Sequence, residues 1–330
     1  MSGDERARAP RRRTRLLVDV LARSDRLYRW ALRLSESGKR LDRGVIARAN
    51  AARGGPHPTT LRGSLPESVQ FWVQRDLSGT RARVEQLSAL LRVADPVDVR
   101  LDRVGGPGDG GYVMIRDFRD VDFFISLGVG PDVSWDADVA SGGAGIHLYD
   151  DTVPSLPGPV PGATFFREHV SGAPGPGRVT LAGCADRAPA GSDLVLKMDI
   201  EGSEWEVLAS ADPTVLGRFR QVVVECHGLL EAATDPERFE VVVEALRRIH
   251  GTHQPIHVHP NNNGNFQVLA NVPVPDVIEI SYARRRDYRF TEPGLPAGAG
   301  LVRANDPGYP DIVATFPIPR AAAEVNPPPG

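Results

Sequence analysis

One stretch, Leu194–Leu208, constrains the fold of this chain more than any other. It starts with the apolar run Leu194–Leu196, which is typical of a strand buried on both faces, and continues into helical spacing. Asp199 and Glu201 follow the strand, and the chain turns at Gly202. Ligands bind at the carboxyl ends of strands in open α/β sheets, so two acids there indicate chemistry. The alternative is that one of them caps the following helix, where an acid is favoured.

Lys197 lies in the same stretch and is one of only two lysines among 39 basic residues. A chain so biased towards arginine that still places a lysine here indicates a need for a compact ammonium group. The ammonium group either takes a direct part in cofactor binding or neutralises Asp199 and Glu201. Both interpretations stay open.

Short apolar runs alternate with helical stretches after residue 100, which predicts an α/β fold built from parallel βαβ units. The predicted strands are 112–115, 121–127, 145–149, 164–167, 194–198, 221–225, 256–259 and 277–282, and the predicted helices are 135–140, 204–211 and 236–249. The last strand region, up to residue 286, is amphipathic, and we expect it to be antiparallel at the edge of the sheet. We find no internal repeat.

Composition and hydrophobic periodicity divide the chain into four predicted segments. Residues 1–13 are predicted to be a disordered basic arm, residues 14–95 a helical extension, residues 96–290 the α/β domain, and residues 291–330 a C-terminal extension with a loose Pro-rich tail. Within the extension, helical periodicity covers residues 14–37 and 66–93, and residues 51–64 read as a linker.

The N-terminal region is strongly basic, since residues 1–63 contain 16 basic and 6 acidic residues while the whole chain has a net charge of −3. A basic amphipathic helix of this kind suits an anionic membrane surface or nucleic acid. We favour the alternative that its apolar face packs on its own domain or on a second copy of the chain. There is no strong signal for nucleic-acid binding.

Two features predict a cytoplasmic protein. Cys184 and Cys226 form no evident disulfide framework, which fits a reducing compartment. The sequence has no apolar run near the ~20 residues that span a bilayer, and Asp19 interrupts the only apolar patch of the basic N-terminus, which makes a poor signal peptide.

A second candidate site follows the strand that begins at Val121. This strand runs into Gly128-Val129-Gly130, where glycines let a ligand approach the backbone and the next helix offers free N–H groups. Asp150 comes 20 residues after Gly130, at the end of the next strand, in position to accept both hydroxyls of a ribose. The alternative for the glycines is a tight structural turn.

The residues after the glycines indicate which nucleotide is bound. A dinucleotide fingerprint needs a third glycine where this chain has Val133, so NAD and FAD are disfavoured. Pro131 also removes an amide that a pyrophosphate would use. S-adenosylmethionine carries no phosphate and needs only the close approach and the ribose acid, so it fits these residues better.

Four motifs in this order resemble the FkbM-like S-adenosylmethionine-dependent methyltransferases, and more closely the methyltransferase-like branch that has a DGGY element before the first strand. The motifs are Gly110–Val113, Ser126–Asp136, Tyr149–Thr152 and Leu196–Glu204, and three later pieces, Val224–His227, His259–Asn262 and Pro275–Ile280, also look like that branch. The similarity covers about residues 100–286 and leaves residues 1–95 outside.

The resemblance implies a Rossmann-like class I methyltransferase fold, with a mostly parallel seven-stranded sheet and helices on both faces. It implies methyl transfer, usually to oxygen, with Gly128, Val129 and Gly130 under the cofactor, Asp150 on its ribose and Asp199 near the sulfonium.

Two positions depart from the family's pattern. Ser126 stands where many methyltransferases have an acid, and Asp132 replaces the third glycine. Asp132 is therefore a candidate to hold the methionine amino group.

Methyl transfer to a hydroxyl mainly needs alignment and a base. Six titratable side chains lie at predicted strand ends that could be neighbours: Asp199, Glu201, Glu225, His227, His257 and His259. We predict His227 as the general base, since its unperturbed pKa is near ~6.5, and Glu225 as its orienting partner or a contact for a cation. The same set could hold a divalent metal such as Mg²⁺, Mn²⁺ or Zn²⁺, but we favour catalysis without a metal.

Several neighbouring residues have two interpretations. His257 and His259 either take part in the site or are ordinary strand-end residues. Asn261 to Asn263 form a turn, or they hydrogen-bond a polyol. Tyr112 either lines the site or belongs to the core.

The sequence therefore predicts O-methylation of a small hydroxylated acceptor, such as a sugar or secondary metabolite. The alternative is an inactive nucleotide-binding scaffold whose basic N-terminus binds a partner, a membrane or RNA. An NAD-dependent oxidoreductase is a further alternative, which Val133 disfavours.

Overall fold

The computed structural model describes residues 71–74, 79–262, 266–270, 272–293 and 305. The predicted basic arm, first helix and linker lie outside the described residues, as does most of the predicted C-terminal extension. In the part of the chain that is described, no helix combines the length and apolar character needed to cross a bilayer.

Strands and helices alternate mainly between Arg178 and Pro260, and elsewhere most strands follow one another directly. The strands are β1 Phe71–Gln74, β2 Leu101–Gly105, β3 Gly111–Ile115, β4 Phe123–Leu127, β5 Gly145–Tyr149, β6 Ala163–Phe166, β7 His169–Val170, β8 Arg178–Val179, β9 Leu194–Met198, β10 Phe219–Cys226, β11 His253–Pro260, β12 Phe266–Leu269, β13 Val272–Pro275 and β14 Ile278–Arg284. The helices are α1 Thr80–Leu90, α2 Ser134–Ala140, α3 Leu181–Asp186, α4 Glu204–Ser210, α5 Pro213–Leu216, α6 Leu229–Thr234 and α7 Pro236–His250.

The central sheet has seven strands in the order β11-β14-β10-β9-β4-β5-β6. Strands β10, β9, β4, β5 and β6 are mutually parallel, and β14 runs antiparallel to both β10 and β11. The predicted α/β class with a mostly parallel sheet is confirmed. This arrangement is compatible with a Rossmann-like methyltransferase fold.

The prediction that the antiparallel strand lies at the edge is wrong. Strand β14 is antiparallel, as expected, but it pairs on both sides, with β10 and with β11. All seven of its residues are buried, so its apparent amphipathic pattern does not correspond to a solvent-exposed face. The edge position belongs to β11 instead.

Alternate side chains of the strands enter two separate cores on opposite faces of the sheet. In β9, Leu194, Leu196 and Met198 pack in the larger core, and Val195 packs in the smaller one. Helices α3, α4 and α7 contribute to the larger core, while α2 and the antiparallel β2–β3 hairpin contribute to the smaller one. Both faces of β9 are therefore covered, as its continuous apolar run predicts.

The predicted helix over residues 66–93 differs from the structure at its start. Helix α1 begins at Thr80, and Phe71–Gln74 form strand β1, which pairs in parallel with β12. The residues Phe-Trp-Val have high strand propensity, and a short apolar run fits either period, so the helical spacing was misleading here. Val84 and Leu87 of α1 are buried in the larger core.

Parallel strands place their carboxyl ends at the same edge of a sheet. The ends of β5, β4, β9 and β10 follow one another in that order along this edge. Asp150, Gly128, Asp199 and His227 come directly after these four ends. The topology therefore gathers the two candidate sites of the sequence into one region.

Candidate active site

A cavity of about 510 Å³ opens at this edge of the sheet. Its wall combines the glycine loop with acids from the ends of neighbouring strands. The predicted site residues that line it are Gly128, Val129, Gly130, Asp132, Asp150, Lys197, Asp199 and Glu201, and Tyr112 lines it as well. Glu225, His227, His257 and His259 do not line it.

The two glycines of the loop, Gly128 and Gly130, have different structural roles. Gly128 has a φ of +80°, and a Cβ there would lie 1.6 Å from the carbonyl oxygen of Asp199, so the close approach of two strand ends requires glycine. Gly130 has a φ of +59°, but a Cβ would meet nothing within 4 Å. The first glycine is needed by the fold, and the second leaves open space in the cavity wall.

Asp150 holds the glycine loop in place. Its Oδ2 accepts hydrogen bonds from the backbone N–H groups of Val129 at 2.9 Å and Gly130 at 3.1 Å. Its Oδ1 accepts from the backbone N–H of Thr152 at 2.7 Å and from the Thr152 hydroxyl at 2.6 Å. Burial raises the pKa of Asp150, but these hydrogen bonds outweigh it and lower the pKa below its usual value. The loop is therefore fixed around a carboxylate.

The ammonium group of Lys197 hydrogen-bonds to the glycine loop. Its Nζ donates to the carbonyl oxygen of Gly128 at 2.7 Å and lies 5.8 Å from the ring centroid of Tyr112. Burial raises the pKa of the nearby Asp136 carboxyl, and the charge of Lys197 lowers it. The ammonium group thus contacts the loop directly and also acts on the pKa of Asp199.

Asp132 lies at the other end of the loop, where helix α2 begins. Its Oδ1 accepts from the backbone N–H of Ser134 at 2.8 Å. The carboxylate lines the cavity and leaves no space for a side chain at Gly110, where a Cβ would lie 2.3 Å from its Cγ.

Asp199 lines the cavity beside the glycine loop, because β9 and β4 are neighbouring strands. Burial raises its pKa to about 6, partly offset by the positive charges of Lys197 and His227. The Tyr112 hydroxyl lies 3.5 Å from its Oδ2. Glu201 stands at the rim with a side chain that is 73% exposed, and its backbone has a φ of +56°, which is uncommon outside glycine.

His227 is surrounded by carboxylates. Its Nδ1 lies 3.1 Å from Glu204 Oε1, and its Nε2 lies 3.7 Å from Glu201 Oε2 and 3.7 Å from Glu225 Oε1. Burial lowers the pKa of His227, but the hydrogen bond and charge of Glu204 and the other carboxylates raise it well above its usual value. A raised pKa favours the protonated imidazole, which weighs against His227 as the general base.

Sequence reasoning missed the role of Glu204, whose side chain is fully buried. Its carboxylate accepts from the backbone N–H of Ile200 at 3.0 Å and of Gly202 at 3.1 Å, and it pairs with His227. Burial raises the pKa of Glu204, but His227 and these donors lower it below its usual value. The available signal was an acid in the first turn of a helix, which binds the free N–H groups there.

Glu225 is 6% exposed and accepts from Asn261 Nδ2 at 2.8 Å through Oε1. Its Oε2 has no hydrogen-bond partner among the described residues. Burial and the charges of Asp199 and Glu279 raise the pKa of Glu225 well above its usual value. Asn261 therefore contacts Glu225, one of the carboxylates around His227, while Asn263 lies outside the described residues.

His257 and His259, two of the three histidines of β11, do not line the cavity. His259 pairs with Glu279 of β14 at 3.5 Å. His257 is 3% exposed, and neither of its ring nitrogens has a hydrogen-bond partner in the described part of the chain. Burial lowers the pKa of His257 to about 4.

We expect acid to destabilise the fold through His257. Its pKa is about 4 in the folded state and about 6.5 unfolded, so the unfolded chain binds more protons between these values and stability falls as the pH drops. From pH 7 to pH 5 the wild type should lose about 2 kcal/mol that the His257→Leu variant does not lose. Urea unfolding at both pH values measures this difference, and equal pH dependence of the two proteins would contradict it.

No family model and no curated protein matches the chain. Among solved structures, the chain is similar to the methyltransferase CalO6, with 17% sequence identity and a TM-score of 0.24. The match covers 51% of this chain and 58% of that chain, so less than two thirds of CalO6 is spanned. The resemblance to the FkbM-like branch therefore depends on the sequence motifs.

Proposed function

We propose that this protein transfers a methyl group from S-adenosylmethionine to a hydroxyl oxygen of a small acceptor, such as a sugar or secondary metabolite. One observation carries the proposal. A single cavity extends from the glycine loop and Asp150 to Asp199 and Glu201, along the carboxyl ends of three adjacent parallel strands. Its volume of about 510 Å³ falls within the range of small-molecule sites, about 300–1,000 Å³.

The glycine loop suits the nucleoside part of the methyl donor. Gly130 leaves open space in the wall, and Asp150 presents a carboxylate at the end of the neighbouring strand. We assign Gly128, Val129 and Gly130 to the contact with the nucleoside and Asp150 to the ribose. Asp132, at the start of α2, is the candidate for the donor's amino group. The bound donor would supply an electrophilic methyl group on a positively charged sulfur.

The acidic end of the cavity, which Asp199 and Glu201 line, suits the acceptor. In the reaction, the acceptor oxygen forms a bond to the methyl carbon as the carbon–sulfur bond breaks and its electron pair returns to sulfur. The hydroxyl proton must pass to a base, and Asp199 is the better candidate because it lines the cavity and its pKa is about 6. In this assignment His227 lowers the pKa of Asp199 through its charge rather than accepting the proton, and the charge of Asp199 raises the pKa of Glu225.

Calorimetry with S-adenosylmethionine and the full chain tests the donor half. We expect one binding site, and a loss of at least about 100-fold in affinity for Asp150→Asn, because the amide cannot accept from every donor that the carboxylate serves. The matched control is Asp186→Asn, which removes an exposed acid outside the cavity. No binding by the wild type, or an equal effect of the two variants, would overturn the proposal.

Labelled donor and a fractionated host extract test the transfer itself. We expect label in a small hydroxylated compound, and none with Asp199→Asn at the same donor affinity. Tight donor binding without any labelled product would instead support the scaffold alternative.

A further inference from the structure

Three possible metal donors converge where β9 and β10 end. A carboxylate oxygen from each of Asp199 and Glu201 and a ring nitrogen of His227 all lie within 4.8 Å of one another. Ligands on opposite sides of one ion, at about 2.0–2.2 Å each, are about 4.4 Å apart. Small side-chain shifts would therefore bring these donors around a single cation.

The imidazole of His227 is oriented as in known metal sites. Its Nδ1 lies 3.1 Å from the buried carboxylate of Glu204, so this nitrogen is engaged away from the cluster. Its Nε2 faces Glu201 and Glu225, each at 3.7 Å. Metal-binding histidines almost always donate their other ring N–H to a carboxylate or carbonyl, which fixes the ring and directs the second nitrogen at the ion. A cation bound at Nε2 would take the place of the proton on that nitrogen.

Glu225 gives an independent indication of a ligand. Its side chain is buried, and Oε2 has no hydrogen-bond partner among the residues that the structure describes. The other oxygen of the same carboxyl group, Oε1, lies 3.7 Å from His227 Nε2, beside the three converging donors. An unsatisfied buried carboxylate oxygen costs free energy, and a cation in the cluster would satisfy it.

We propose that Asp199, Glu201 and His227 bind a divalent transition-metal cation, with Glu225 as the adjoining carboxylate. Carboxylates alone suit Mg²⁺ and Ca²⁺, whereas an imidazole ligand favours softer ions, so the mixed set favours Mn²⁺ over Mg²⁺. The sequence favoured catalysis without a metal, and the geometry reverses that preference.

The position of the cation suggests its role, which depends on the proposed methyl transfer. Asp199 and Glu201 line the cavity, so a cation between them meets an acceptor bound at the acidic end. A cation that coordinates the acceptor hydroxyl lowers its pKa. The hydroxyl proton would pass to the Asp199 carboxylate, and the acceptor oxygen would take the methyl group as the carbon–sulfur bond breaks.

Binding of Mn²⁺ to the chelator-treated full chain tests the site directly, through the electron paramagnetic resonance signal of free Mn²⁺. We expect one site in the wild type and at least tenfold weaker binding by Glu201→Gln. The Glu201 side chain is exposed, so this substitution should leave the chain folded. The control, Asp151→Asn, removes an exposed acid that lines the same cavity outside the cluster and should change the affinity less than about threefold.

The absence of Mn²⁺ binding, or equal weakening by both variants, would overturn the cation site. Calorimetry with S-adenosylmethionine separates this result from the proposed function. Mn²⁺ binding without donor binding supports the cation site and contradicts the methyltransferase. Donor binding without Mn²⁺ binding does the reverse.

Discussion

The Gly128→Ala variant should be destabilised by about 3 kcal/mol or more beyond the ordinary cost of alanine at a positive φ. An alanine Cβ at this position would lie 1.6 Å from the carbonyl oxygen of Asp199. Both atoms belong to strand ends that are already bonded to each other, since the Asp199 N–H donates to the Leu127 carbonyl oxygen at 2.8 Å. Relief of the clash must separate β4 from β9 where the cavity begins.

Two other glycines separate the clash from the backbone penalty. Gly143 has a φ of +87° and open space within 4 Å, so Gly143→Ala should cost only about 1–2 kcal/mol. Gly130 is also at positive φ with open space, but it lines the cavity. Gly130→Ala should therefore resemble Gly143→Ala in stability while weakening the binding of S-adenosylmethionine.

Urea unfolding followed by circular dichroism measures all three variants on one scale. The predicted order of stability is wild type, then Gly143→Ala and Gly130→Ala together, then Gly128→Ala. If Gly128→Ala were as stable as Gly143→Ala, the close approach of the two strand ends could not be a constraint on the fold.

The strands were predictable where their sequence is continuous and apolar. Strands β5 and β9 begin and end at the predicted residues, because buried parallel strands are mostly apolar and only His147 and Lys197 interrupt these two runs. The location of β14 was not predictable in the same way. Its pairing with both β10 and β11 is a long-range choice, and nothing in its own residues specifies two neighbours.

The candidate site likewise contains parts that the sequence predicts and parts that it does not. The glycine loop and Asp150 carry local signals, a strand end rich in glycine and an acid after the next strand, and the structure brings them together. No local feature of the sequence indicates the raised pKa of His227. This pKa depends on Glu204, Glu225 and Asp199, which lie at two strand ends and on a helix. Their charges act on His227 together only in the folded chain.

The Glu204→Gln variant should lose about 3 kcal/mol of stability, because it breaks a buried charge pair and leaves His227 among fewer charges. Glu204 is fully buried and binds the backbone of Ile200 and Gly202 as well as the imidazole. A glutamine preserves the shape and one acceptor oxygen, but its amide group is a donor where the carboxylate accepted. The loop that carries Glu201 should loosen.

The neighbouring Glu206 provides the matched control on the same helix. Its side chain is 50% exposed and pairs with Arg238, so Glu206→Gln should cost less than about 1 kcal/mol. Both substitutions remove one negative charge from α4, and they differ in burial and in the partner that is lost.

Nuclear magnetic resonance of the histidine side chains distinguishes the electrostatic effect from a loss of packing. Glu204 is the main partner that raises the pKa of His227, so this pKa should fall in Glu204→Gln and stay unchanged in Glu206→Gln. A stable Glu204→Gln protein with an unchanged His227 titration would show that the other carboxylates alone hold the imidazole proton. Because Glu204 also holds Nδ1 and so leaves Nε2 facing Glu201 and Glu225, the same variant should bind Mn²⁺ about 10- to 100-fold more weakly.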